Sequence, residues 1–349
     1  MPFTVAELQN IGNAMLDFHM DTGKVWSQTI QEKPLLREMK RVQKSFPGGK
    51  DNIVVRVKGA YTTTINGFTH DDQVTYANPA NIKEAFYPWK EIHSGIQITL
   101  TELKKDGISV VDSANGKSVT NHSQREKTAL ANLYEDKIED MAEGTNRGMN
   151  LMYWKDGSQD SKQAPGVRSF ILDDPTSNTI VGGIDQSIAA NAYWRNRASL
   201  LLSTGTPSDL VITKKMKSED RQLRRFGSPK HIRLCGSDFL DALEAEIYSK
   251  GEFRQNGWVG SGNIDIGQAD AEMRGTKFMY DPTLDDLGLS KYCYVLDLRH
   301  IFPDVMEGED MKKHFPSRPE DKYVLYRAMT WTGGVVCRQR NTSGVYSIA

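Results

Sequence analysis

The stretch that most constrains the fold is SQREKTALANLYEDKIEDMAEGTNRGMNLMYW, residues 123–154, the longest segment with an unbroken helical period. Leu130, Leu133, Tyr134, Ile138, Met141, Ala142, Thr145, Met149 and Met152 recur at steps of three and four, which is one face of a helix. Ser123 with Glu126 three residues on reads as a capping box, and Gly157 as the stop. Roughly 32 residues at about 1.5 Å each make a rod of about 48 Å, longer than a compact domain needs. Gly144 and Gly148, each costing about 1 kcal/mol against alanine, predict a bend. On the exposed face Glu135, Asp136, Glu139, Asp140 and Glu143 place like charges at i,i+4, a destabilising spacing unless something basic meets them. A solvated acidic face and a docking face for another segment or subunit both fit.

A chain of 349 residues holds two or three domains. Its net charge of −1 provides no bulk field for nucleic acid or membrane, so any such contact must be local. Cys235, Cys293 and Cys337 are widely spaced with no CxxC pair, which predicts reduced structural thiols in a cytosolic setting. MPFTVAELQNIGNAM lacks the basic start and apolar run of a signal peptide, and no run of 18 apolar residues predicts a membrane span.

In chain order, residues 1–50 read as a helical arm. Val5, Leu8, Ile11, Met15 and Phe18 suggest one helix, and Pro34 opens a second. There Leu35, Leu36, Met39 and Val42 face inward, while Arg37, Lys40, Arg41 and Lys44 form a basic stripe. The stripe is solvated, pairs with an acidic helix or lies on phosphates. From Asn52 to about Asp112 the period becomes two: Ile53, Val55, Val57 and then Ile96, Ile98, Leu100 read as two long strands of a hairpin. Between them Phe68, Tyr76, Phe86, Tyr87 and Trp89 are too many rings for a two-stranded ribbon to bury against itself, so they need the body of the protein or a neighbouring copy.

After the rod, Ser169 to Ile180 reads as strand and turn, followed by the glycine pair and Trp-Arg-Asn end of VGGIDQSIAANAYWRN, residues 181–196. Ser218 to Phe226 reads as a short charged helix, His231 to Cys235 as a strand, and Asp238 to Tyr248 as a helix capped by Ser237. Residues 251–276 read as a Gly-rich loop. Lys277 to Asp281, Tyr292 to Leu298, Tyr323 to Thr332 and Gly334 to Asn341 read as closing strands.

Catalytic tools are scarce. The seven histidines are dispersed without HExxH or metal-ligand spacing, and there is no GxSxG elbow, P-loop or kinase set. His70-Asp71-Asp72 reads as a turn, and Cys235 at a strand-to-helix turn lacks a recognisable base. No catalytic, cofactor or metal site is predicted, although an α/β enzyme with its site near residues 257–267 remains a different-class alternative.

The order of parts (arm, ribbon, rod, α/β lobe, closing sheet) resembles the major capsid proteins of tailed bacteriophages with the Hong Kong-97-type shell fold. VGGIDQSIAANAYWRN resembles the glycine-pair to Trp-Arg-Asn stretch that follows the spine helix in that family, and YDPTLDD at 280–286 and the ending VVCRQRNTSGVYSIA resemble its late strands. The resemblance implies an α+β fold with an N-terminal arm at 1–51 and an extended hairpin loop at 52–112. It further implies a peripheral domain at 113–200 and 290–349 with the spine helix at 123–155, and an axial domain at 201–289. It implies a structural, non-enzymatic protein of the virion, assembled in the host cytoplasm into hexamers and pentamers of an icosahedral head. Double-stranded DNA inside is touched non-specifically, and the implied partners are a separate scaffolding protein, a portal protein and a decoration protein, with no membrane and no cofactor. An encapsulin-like bacterial compartment is the runner-up. On this resemblance Arg37, Lys40, Arg41 and Lys44 would meet the face of Glu135, Asp136, Glu139, Asp140 and Glu143 of an adjacent copy, and Phe68, Tyr76, Phe86, Tyr87 and Trp89 would bury on neighbours.

Overall fold

A computed structural model describes residues 3–4, 11, 31–59, 61, 63–74, 76, 81–105, 110–111, 124–227, 231–249, 272–273, 275–314 and 324–349. It divides into two compact units: residues 1–31, 91–149 and 305–332, and residues 32–90, 150–304 and 333–349. The expected helix over 5–18 lies outside the described residues apart from Ile11, as do Ser123, nearly all of 251–276, and the side chains of Leu130, Glu135 and Asp136.

The rod is a single α-helix, Gln124–Trp154, and it runs helical through both Gly144 and Gly148. In the first unit its face is built as the period predicts. Tyr134, Ile138 and Met141 are buried against Ile98, Leu100, Leu103, Leu325 and Met329, with Ile11, Ile96 and Leu133 at the margin. The strand Lys90–Thr99 pairs with the 14-residue strand Val324–Cys337, whose outer neighbour is Lys312–His314. A short helix, Leu100–Lys105, follows directly. Thr99 and Glu102 cap it reciprocally: Glu102 N–H donates to Thr99 Oγ1 at 3.2 Å and Thr99 N–H to Glu102 Oε2 at 3.0 Å.

The second unit holds a six-stranded mixed sheet in the order Glu272–Met273, Thr276–Tyr280, His231–Cys235, Tyr292–Asp297, Gly344–Ile348, Arg197–Leu202. His231–Cys235 runs parallel to Thr276–Tyr280 and antiparallel to Tyr292–Asp297. Helices Val211–Leu223 and Ser237–Ser249 bury Ile212, Met216, Leu223, Phe239 and Leu243 on one cluster with Phe278, Val295 and Tyr346 of the sheet. The sheet takes strands from both sides of the 289/290 boundary expected from the sequence. Helix Val211–Leu223 starts on Leu210 in a left-handed conformation with no cap of its own, and Glu246 of the other helix accepts the N–H groups of Ile212 and Thr213, each at 2.8 Å. Residues 167–170 form a helical turn where a strand was expected, and the closing strands at 323–332 and 334–341 are one strand, 324–337. YDPTLDD ends in a helix, Pro282–Asp286, with Asp281 as its cap.

A buried polar chain ties three distant segments of this unit. Leu36 N–H donates to Asn150 Oδ1 at 3.1 Å, Asn150 Nδ2 to Thr283 Oγ1 at 2.7 Å, Thr283 N–H to Asp281 Oδ1 at 3.0 Å, and Trp154 Nε1 to Asp281 Oδ2 at 2.9 Å. Truncating the 1 %-exposed Asn150 leaves the Leu36 N–H without its acceptor and Thr283 Oγ1 without its donor. Each stranded buried group costs about 1–3 kcal/mol, so Asn150→Ala is expected to lower stability by about 2–4 kcal/mol in urea unfolding, and Asn150→Asp to recover part of that through the surviving acceptor.

His231 is buried with Nε2 at 2.8 Å from Thr342 O and faces Asp297 across the strand pair, with Arg233 and Asp220 nearby. Burial holds its pKa below the ordinary 6.5 despite the Thr342 carbonyl and Asp297. The unfolded chain therefore binds the proton more tightly, and the stability this neutral imidazole contributes is present above about pH 6.5 and lost as pH falls below it. The melting temperature is expected to drop between pH 7 and pH 5.5, and less steeply in His231→Gln; His300, also lowered by burial, adds to the drop in the same direction.

Candidate assembly surfaces

The ribbon is built differently from its expected hairpin. Asn52–Lys58 pairs antiparallel with Ile82–Pro88, Asn52 opposite Pro88 and Lys58 opposite Ile82, while Lys90–Thr99 leaves the hairpin to join the strand Val324–Cys337. Alternation at 96–100 marked a strand correctly but carried no information about its partner. The stem closes where Gly59 N–H donates to Asn81 O at 2.9 Å. One face of it is body: Ile53, Val57, Ala85 and Tyr87 are buried. The glycine pair explains itself here, since Gly182 and Gly183, both at positive φ (61° and 79°), turn a small hairpin of Ile180–Val181 and Ile184–Asp185. Gly182 O then accepts Phe86 N–H at 3.1 Å. Trp194 Nε1 donates back to Val181 O, Arg195 to the carbonyls of Gln186 and Ser187, and Asn196 to Leu172 O, so the Trp-Arg-Asn motif holds its own loop.

Tyr87 is a correction to the expected contact set. It is 2 % exposed, packs edge-on to Phe170 at 5.4 Å and donates to Cys337 O at 2.6 Å, so its own unit supplies the surface that it was expected to find on a neighbour. Trp89 is half-buried and donates to Lys50 O at 2.8 Å. Phe68 and Tyr76 stand out at 71 % and 93 % exposure, and Tyr61 and Ile65, absent from the expected contact set, are exposed beside them in the chain. Phe86 is half-exposed opposite Val54, Ile82 lies on the same outward face of its strand, and Ile180 is exposed on the small hairpin of Ile180–Val181 and Ile184–Asp185.

The charged surfaces divide less evenly than their sequence pattern implied. Helix Pro34–Val42 presents Arg37, Lys40 and Arg41 outward, but Glu38 accepts from Arg41 at 2.9 Å and from Arg37 at 3.3 Å. Lys44 lies beyond the helix, its Nζ 3.9 Å from the Phe302 ring centre; burial and the Arg338 charge lower its pKa, against the pull of Asp304. Two of the four basic side chains of the stripe thus share one acid of their own helix. On the rod, Asp140 is exposed, Glu139 is half-exposed and Glu143 accepts from Arg147 at 2.8 Å one turn on.

Burial, then Cys293 facing it across the strand pair, holds the Cys235 thiol well above the usual thiol range, so it offers no thiolate. Among the described residues no group of three or more His, Cys, Asp or Glu could hold a metal ion, and no helix is long and apolar enough to cross a membrane. An open cleft of about 410 Å³ in the first unit is lined by Glu91, His93, Glu309 and His314, but Glu309 is paired with Lys312 and His314 Nε2 with Thr330 Oγ1. It assembles no nucleophile with a base.

No protein-family model matches the sequence, and no curated protein matches it. Solved structures do match. The capsid asymmetric unit of cyanophage A-1(L) is similar at a TM-score of 0.65 over 93 % of this chain and 94 % of that one, at 12 % identity. The capsid of cyanophage P-SCSP1u matches at 0.54 (94 % and 91 %, 11 % identity), and Gordonia phage Cozz at 0.53 (93 % and 89 %, 12 % identity). The chain has the Hong Kong-97-type fold of phage capsid proteins. Within this fold the exposed tip, described at 61, 63–74 and 76, and the stem at 52–58 and 82–88, buried on one face, are parts of one ribbon, a division that only burial reveals.

Proposed function

We propose that the chain is the major shell protein of a phage-type head, a structural protein that closes with copies of itself into hexamers, pentamers and an icosahedral particle around double-stranded DNA. The observation that carries this is the ribbon tip in the setting of a capsid fold. Ile65, Phe68 and Tyr76 stand exposed at the tip and Tyr61 meets only the Lys58 ammonium, 4.5 Å from its ring centre, and apolar groups so placed are completed by another copy. In this reading the ribbon 52–88 is the extended loop and the helix Gln124–Trp154 the spine. The six-stranded sheet with its two helices is the axial domain, and Lys90–Thr99 with Val324–Cys337 belongs to the peripheral domain. A separate scaffolding protein, a portal protein and a decoration protein complete the head.

Sedimentation velocity of the purified protein tests this. A shell protein is expected as capsomers or as megadalton particles, depending on conditions. A single small oligomer that never grows, with or without the genes neighbouring its own, would remove the proposal.

A further inference from the structure

The helix Val211–Leu223 carries a surface that neither the fold nor the ribbon accounts for. Its buried side is Ile212, Met216, Glu219, Asp220 and Leu223. The two acids of the helix are therefore both turned inward, where Glu219 accepts from Arg197 at 2.8 and 3.1 Å and lies 3.2 Å from Lys215. Asp220 accepts from the buried Arg233 at 3.1 Å and pairs with Arg224 at 3.1 Å. What faces outward is Lys214, Lys217, Ser218, Arg221 and Gln222, followed by Arg225 on the 3₁₀ turn Arg224–Phe226, all exposed or half-exposed. Lys214, Lys217, Arg221 and Arg225 recur at steps of three, four and four, which keeps them on one line opposite the buried face. None of the four has an ion pair among the described residues.

Such a line works against its own helix. Lys217 with Arg221 and Arg221 with Arg225 are like charges at i,i+4, and Lys214 sits in the first turn, where the helix end is itself positive. A protein-docking face would place an apolar centre inside a polar rim, and this face has no large apolar side chain until Phe226 at its far end, 55 % exposed beneath the Arg225 guanidinium at 5.6 Å. Single-sign charge in a row about 16 Å long matches a polyanion instead: the same length of duplex carries on the order of nine phosphate charges.

We propose that this outward face, Lys214, Lys217, Arg221 and Arg225, is a contact for the phosphodiester backbone of duplex DNA, independent of base sequence. The proposal rests on the reading of the chain as a shell around DNA, and it places the face toward the interior.

The test is fluorescence anisotropy of a labelled short duplex with the full-length protein across a salt series. Lys214→Gln/Lys217→Gln/Arg221→Gln/Arg225→Gln is compared with a control of equal charge loss, Lys50→Gln/Lys104→Gln/Lys105→Gln/Lys162→Gln. Each phosphate contact contributes about 0.9 to the slope of log affinity against log salt. The stripe variant is expected to lose about 3.6 from that slope and on the order of a hundredfold in affinity, with a melting temperature no lower than that of the unsubstituted chain, while the control keeps most of both slope and affinity. Equal losses in the two variants, or wild-type affinity in the stripe variant, would overturn the proposal. Loss of particles with duplex affinity intact would overturn it too, and would make the face a contact between proteins. Duplex binding is read on the protein itself, so failure of the shell reading shows separately, as absence of particles from the unsubstituted chain.

Discussion

A chain in which residues 60–80 are replaced by an Asn-Gly turn is expected to fold and to form no shells. The cut is set by the hydrogen bond from Gly59 N–H to Asn81 O, which already closes the stem, so a two-residue turn joins strands whose register is fixed by seven residue pairs from Asn52 opposite Pro88 to Lys58 opposite Ile82. What is removed carries exposed side chains, Tyr61, Ile65, Phe68 and Tyr76 among them, so the fold loses no described core contact. Melting is expected to shift by no more than a few degrees, while electron microscopy of the expressed variant shows no closed particles. Extending the deletion through residue 92 would be a different experiment. It removes Ala85 and Tyr87 from the core and the Tyr87 bond to Cys337 O, and the chain is expected to be insoluble. Closed particles from the 60–80 replacement would refute the tip's role.

The second large effect is a single methyl group. At Gly166 an added Cβ would lie 2.3 Å from Tyr153 O and 2.4 Å from Met152 O, and at Gly236 2.3 Å from Ser290 O. These are backbone atoms of the end of the long helix and of the turn before Tyr292, which cannot swing aside as a side chain would. Gly166→Ala and Gly236→Ala are each expected to cost upward of about 3 kcal/mol and to leave little soluble protein. The same substitution at Gly144 or Gly148 meets nothing within 4 Å, so the helix propensity of alanine acts alone and stability rises by about 1 kcal/mol at each site. Urea unfolding of the four variants reads both signs in one series; equal effects at all four would show that the close approaches do not constrain the chain.

The contrast among glycines also indicates which features the sequence carried. Regular elements were legible: the rod's period led to Gln124–Trp154 almost to the residue, Pro34 marked the start of its helix, and His231–Cys235 was found as a strand. Pairing was not. Alternation at 96–100 gives a face, and nothing local distinguishes a partner at 53–57 from one at 324–337. The true partner of Asn52–Lys58, IKEAFYP at 82–88, was hidden because its outward face carries Ile82, Glu84 and Phe86, so apolar residues fall on both sides. The break read between 332 and 334 fails for a tertiary reason: Gly334 is glycine because Pro88 O lies 2.6 Å from where a Cβ would be, inside a continuous strand. Of the candidate surfaces, the tip aromatics Phe68 and Tyr76 stayed exposed while Tyr87 did not, since burial depends on the fold around the ribbon. The basic line on Val211–Leu223 was obscured by Glu219 and Asp220 in the same run, and only their inward partners, Arg197 and Arg233, separate the two signs.

The proposed function requires this chain to close with copies of itself around DNA. Electron microscopy of particles from cells expressing it with the genes next to its own tests that directly, with nuclease treatment before the DNA inside is measured. Closed polyhedral shells are expected, with free hexamers and pentamers when scaffolding is absent and nuclease-protected duplex DNA in filled particles. Small discrete oligomers under every condition, or closed shells that hold protein cargo and never DNA, would contradict it.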